Sequence, residues 1–161
     1  MTDISLENKR ILIVDDEPDV LDSLEELLDM ATVTRAQSFE QADQLLKEQT
    51  FDIAILDIMG VDGYQLLETA NKKEIVTVML TAHALSPDNI KKSYLGGACS
   101  YIPKEEMINI ETFLLDVLKA RKEGKNPWTS WYKRLASFCE RKFGKDWDKD
   151  EKEFWEKMIY Y

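Results

Sequence analysis

The chain has 161 residues, 44% hydrophobic and 10% aromatic, which suits one full domain with a single core and a small extension. Its formal charge of −10 at pH 7 argues against strong non-specific binding to nucleic acid, whose affinity comes from Lys and Arg on phosphates. No segment approaches the roughly 18 uninterrupted apolar residues of a membrane span, the polar start MTDISLENKR lacks a signal-peptide plan, and Cys99 and Cys139 lie far apart in a chain without an export signal, which speaks against a disulfide framework; a cytoplasmic protein with two buried or partly buried thiols is expected.

Arg10 is followed by Ile11, Leu12, Ile13 and Val14, a short buried strand that ends in Asp15, Asp16 and Glu17. Pro18 fits the first turn of a helix, which Val20, Leu21, Leu24, Leu27 and Leu28 continue at helical spacing. Thr32 to Arg35 is a weaker second strand, with Ser38 as N-cap of a helix carrying Phe39, Ala42, Leu45 and Leu46. Phe51 to Leu56 reads as a third strand buried on both faces, with Asp57 at its mouth and a helix marked by Leu66, Leu67 and Ala70 after it. Ile75 to Leu80 is the fourth strand, and its helix runs from about Pro87 to Gly96-Gly97. Ala98 to Ile102 is the fifth strand, and Ile110, Phe113, Leu114, Val117 and Leu118 mark the helix that follows. Five strand-then-helix units predict an α/β fold with a doubly wound, five-stranded parallel sheet.

The breaker EGKNPW, Glu123 to Trp128, coincides with a shift in charge: residues 1–123 carry −12 and residues 124–161 carry +2. A domain over 1–123 and a helical extension over 124–161 are expected. In the extension Trp128, Trp131, Leu135, Phe138 and Phe143 recur at helical spacing, Gly144 is a stop, and Phe154, Trp155, Met158 and Ile159 form a second apolar face. The two helices have opposite net charge, as an antiparallel hairpin would use. All four tryptophans lie here and must be buried, against the domain, a second copy or a partner. The segment is short for a DNA-binding domain with its own core, and its second helix is too acidic for a membrane surface.

Ligands of such a sheet bind outside the carboxyl ends of the strands where the strand order reverses. Those ends present Asp15 and Asp16, Asp57, Thr81 and Lys104. Clustered carboxylates repel unless a cation shares them, and an all-oxygen set suits Mg²⁺. With the metal in place Asp57 can act as a nucleophile toward phosphorus, the equatorial oxygens being neutralised by Lys104 and the Thr81 hydroxyl. His83, on the loop beyond Thr81, has no His or Cys beside it for a transition-metal site and is read as shaping access of water.

The ordered motifs ILIVDDEPDV, IAILDIM, VMLTAHA and SYIPKEE resemble the receiver domains of two-component response regulators over residues 9–121. The resemblance implies a flavodoxin-like receiver with Asp57 as phospho-acceptor and Asp15 and Asp16 as Mg²⁺ carboxylates. Met59 would lend a backbone carbonyl to the ion, Thr81 and Lys104 would hold the phosphoryl group, and Tyr101 would be the aromatic that swings inward with Thr81. The implied protein is a phospho-accepting switch, not a substrate-turning enzyme. A histidine kinase or histidine phosphotransfer protein would serve as donor, and output would run through contacts with a downstream protein or a homodimer, with neither nucleic acid nor membrane as partner. One departure stands out: DIMGVDGY reaches Asp62-Gly63 about two residues early and without the usual proline, and Gly60 can take the tighter path through positive φ. That shortening keeps a competing expectation open, a receiver-like interaction module that is no longer phosphorylated.

Overall fold

The computed structural model describes residues 4–82, 86–149 and 152–160. Five strands, β1 Arg10–Val14, β2 Thr32–Ala36, β3 Ile53–Asp57, β4 Val76–Thr81 and β5 Ser100–Pro103, pair in parallel in the order β2-β1-β3-β4-β5. The helices between them are α1 Pro18–Leu27, α2 Phe39–Glu48, α3 Gly63–Lys72 and α4 Pro87–Leu95, with α5 Ile110–Glu123 after β5. The chain winds outward from β1 in both directions, so the order reverses between β1 and β3, and the central strands are buried along their whole length. Fully apolar runs such as Ile11–Val14 and Val76–Leu80 are what a sheet covered on both faces requires.

Local chemistry sets the element ends. The Ser38 and Ser86 hydroxyls accept from the backbone amides of Gln41 and Asn89 and cap α2 and α4. Pro18 opens α1 and Pro87 opens α4, where the missing amide proton costs nothing. β3 starts at Ile53, two residues later than the apolar run suggests, and just before it the Asp52 carboxylate accepts from the Arg10 amide at 2.9 Å. A 3₁₀ turn over Lys104–Asn109, which hydrophobic periodicity does not reveal, separates β5 from α5.

The extension forms two helices, α6 Pro127–Phe143 and α7 Lys152–Tyr160, and α6 ends at Gly144. Asn126 caps α6 through its side-chain oxygen and donates its amide to the Met158 carbonyl, and the Thr129 hydroxyl donates to the Ile159 carbonyl, so the pair closes as a hairpin. Edge-to-face contacts join Trp147 to Trp155 at 4.9 Å and Phe154 to Trp155 at 5.1 Å. The hairpin packs on the domain: α6 lies against α5 and β5, and Trp128, Trp131, Leu135, Phe138 and Cys139 belong to the same buried cluster as the sheet. Cations of α6 pair with the domain, Arg134 with Asp116 and Lys142 with Glu105. Both cysteines are buried and free, as expected.

Candidate functional site

The strand-order reversal brings Asp15, directly after β1, and Asp57, the last residue of β3, to the same end of the sheet. Both are buried, Asp15 at 1% and Asp57 at 6% exposure, whereas Asp16 and Glu17 lie exposed at the rim. Lys104, first residue after β5, reaches across them: its Nζ stands 2.9 Å from Asp15 Oδ2 and 3.8 Å from both Asp57 Oδ1 and Glu17 Oε1. Asp15 Oδ1 accepts from the Glu17 amide at 2.9 Å, while the buried Asp15 Oδ2 pairs with the Lys104 ammonium. Thr81 is buried at the end of β4, opposite Pro103, and Tyr101 is buried on β5 opposite Met79. Met59 is 67% exposed. His83 lies outside the described residues.

The electrostatics follow from this placement. Burial, and after it the Asp15 charge, pushes the Asp57 carboxyl up to about 6, against the pull of Lys104 and the Gly60 amide. Burial likewise raises Asp15. For Lys104 burial works against the charge, but the neighbouring carboxylates of Asp15, Asp57 and Glu17 outweigh it and raise its pKa. The site is thus a buried excess of negative charge that one ammonium balances in part.

Three parts of this geometry are absent from the residue-by-residue reading. Glu17 joins Asp15 and Asp16 in a group whose ligand oxygens lie within 4.8 Å of one another, so the rim of the cation-sized set is Glu17 while Asp57 faces it across Lys104. The whole acidic corner Asp15-Asp16-Glu17 was the available signal. Gly60 donates its amide to Asp57 Oδ2 at 3.2 Å, and a methyl group on it would overlap Asp16 Oδ1 and come within 2.6 Å of Asp57 Oδ2. Its φ is not positive; the left-handed residue in the shortened loop is Asp62, at φ 53°. Gly60 therefore serves the close approach to the two carboxylates and not a positive-φ backbone, which corrects the expectation from the loop length. Gly63 is equally constrained, since a Cβ there would overlap the Asp57 carbonyl oxygen and lie 2.9 Å from its carbon.

A doubly wound, five-stranded parallel sheet with carboxylates and a lysine at its switch point is the architecture of a receiver-like fold. The family model of the response regulator receiver domain matches residues 11–112, and the chain belongs to that family, whose members are phospho-accepting switches of two-component signalling. The two-component response regulator ARR18 of Arabidopsis thaliana is 37% identical over 101 residues, 59% of this chain and 16% of that protein. The heme response regulator HssR of Staphylococcus aureus is 36% identical over 98 residues, 58% of this chain and 43% of that protein. The matched region thus spans less than half the length of these curated relatives. Among solved structures, a CheY-like receiver domain protein from Methanospirillum hungatei superposes with TM-score 0.61 at 31% identity, covering 73% of this chain and 99% of its own. The receiver domain of a LuxO-type repressor protein from Vibrio parahaemolyticus, at 20% identity and TM-score 0.65, shares the fold over 73% of this chain and 95% of its own.

Proposed function

We propose that this chain is a phospho-accepting switch in which Asp57 takes a phosphoryl group from a phosphohistidine of a histidine kinase or phosphotransfer protein. An Asp57 oxygen attacks phosphorus, the P–N bond breaks, and the electron pair returns to the donor imidazole. The observation that carries the reading is the convergence on Asp57: Lys104 Nζ at 3.8 Å, the Gly60 amide at 3.2 Å and buried Asp15 beside it. Lys104 and Thr81 would hold the transferred oxygens, and Gly60 leaves the approach to Asp57 clear of a side chain.

The donor set fits Mg²⁺: it is all oxygen, the buried Asp15 Oδ2 faces the Lys104 ammonium at 2.9 Å, and the space between Asp16 and Asp57 is one that a single methyl group would fill. Asp15, Asp16 and Asp57, with the Met59 carbonyl and Glu17 at the rim, are the residues that would hold it. When bound, the ion neutralises charge on the phosphoryl oxygens. We place the protein in the cytoplasm, with output through contacts to a downstream protein; self-association through the β5 edge would first require α6 to leave it. Among the described residues no helix is long and apolar enough to cross a membrane.

Incubation with acetyl phosphate and Mg²⁺ should add one phosphoryl mass to the chain, and Asp57→Asn should abolish it. A second reading, an interaction module that is not phosphorylated, draws on the short connection from Asp57 to α3, whose Gly60 amide already occupies Asp57 Oδ2 at 3.2 Å. No added mass on the wild-type chain, or equal labelling of Asp57→Asn, would move the assignment to that reading.

A further inference from the structure

β5 is the edge strand of the sheet and only four residues long, Ser100–Pro103, with Lys104 immediately after it. On one side it is held by β4. On its open side it is held by α6. The Trp128 indole donates to the Ala98 carbonyl at 3.0 Å just before the strand, and the Trp131 indole donates to the Tyr101 carbonyl at 2.7 Å within it. Lys142 of α6 pairs with Glu105 at 3.2 Å just beyond Lys104. Both indoles are buried at 2% exposure, and their rings meet at 5.1 Å. Trp128 and Phe154 also pack edge-on against Tyr94 of α4, at 5.8 and 5.7 Å, which ties both hairpin helices to the neighbour of β5. An open sheet edge is a surface that native folds cover. Here α6 covers it, with one indole bonded to a strand carbonyl and another to the residue before the strand.

What the strand delivers is Lys104, whose ammonium lies within 4 Å of Asp15, Asp57 and Glu17. Two residues, Ile102 and Pro103, separate it from the Tyr101 carbonyl that Trp131 holds. A strand paired on one side alone would let that lysine wander, and a donor aimed at developing charge is effective only when it is held in place beforehand.

We propose that Trp131 is a positioning residue for the Asp57 site: by bonding the outer edge of β5 it fixes the strand that delivers Lys104. Docking of the α6–α7 hairpin and anion binding at Asp57 therefore reinforce each other. The inference rests on the reading of Asp57 as the acceptor, and it adds that the tail is coupled to it. Coupling between two sites is reciprocal, so occupancy of Asp57 must also tighten the hairpin.

The test uses the full chain with beryllofluoride and Mg²⁺, a mimic of the phosphoryl group, in a double-mutant cycle of Trp131→Phe and Lys104→Gln. Trp131→Phe keeps an aromatic ring but removes the indole donor. It should weaken beryllofluoride binding by about fivefold or more, the lower range of ordinary site coupling. In the Lys104→Gln background the same change should have no further effect, which a general loosening of the fold would not produce. Independently, beryllofluoride should increase amide-exchange protection over residues 128–135 of the wild type. Equal affinities of wild type and Trp131→Phe, purely additive losses in the cycle, or exchange unaltered by bound beryllofluoride would each overturn the coupling. If the wild type neither binds beryllofluoride nor accepts phosphate from acetyl phosphate, the acceptor reading itself falls, and the coupling with it.

Discussion

Asp57 carries an energetic cost that its position imposes. In the metal-free chain its carboxyl titrates at about 6 against an ordinary 3.8, because burial and Asp15 disfavour the charge. Between these values the folded chain holds a proton that the unfolded chain has released. Stability from this group is therefore greatest below pH ~4, falls as pH rises through 6, and is level above it, a difference on the order of 2–3 kcal/mol. The raised Asp15 acts in the same direction. Asp57→Asn removes the titration, so in chelator at pH 8 it should melt about 5 °C above wild type, with the gap closing toward pH 4.5. Melting curves across pH 4.5–8 check this, and a wild-type midpoint that is independent of pH relative to Asp57→Asn would contradict it.

At the level of elements, the shortened connection between β3 and α3 has the clearest consequence. α3 begins at Gly63, straight after left-handed Asp62, and the Gly63 amide bonds back to the Ile58 carbonyl at 3.0 Å. The helix therefore starts against the backbone of Asp57. Intrinsic propensity favours Ala over Gly within a helix by about 1 kcal/mol. At position 63 packing opposes it, since the added methyl would overlap a backbone carbonyl that cannot rotate away. Gly63→Ala should lower stability in urea by about 2 kcal/mol or more, the opposite sign to propensity. It should also displace Asp57 and slow its labelling. A stabilised Gly63→Ala would show that the loop has room to relax.

Across the whole molecule, the sheet and the hairpin share one apolar cluster. The hairpin has too little surface to fold alone, and the domain without it would expose β5, Tyr94 and the face of α5 on which α6 lies. Ending the chain after Gly124 should lower the melting temperature by about 10 °C, equivalent to roughly 3 kcal/mol or more in a chain of this size. In the intact protein the buried Trp128, Trp131 and Trp155 should give blue-shifted emission, which unfolding moves to longer wavelength. An unchanged melting temperature on truncation would mean that the hairpin adds nothing to the fold.

Much of this was legible in the sequence, because it depends on patterns only a few residues long. Continuous apolar runs made doubly buried strands, helical spacing and the Ser and Pro caps set the helices, and strand-end chemistry marked Asp15, Asp16, Asp57, Thr81 and Lys104 as the set to examine. The amphipathic period of the tail announced two helices with tryptophans to bury. What only the tertiary structure decided depends on which backbones approach one another in space. Gly60 stands between two carboxylates distant in sequence, Gly63 lies against the Asp57 carbonyl, and Glu17 completes a group that the acidic corner by itself left undivided. The seat of the hairpin was open too, since an apolar face records that it must be covered and not by what. The β5 edge and the residue before it supplied the carbonyls to which Trp131 and Trp128 donate, and that match of backbone acceptor to buried indole is a property of the assembled sheet alone.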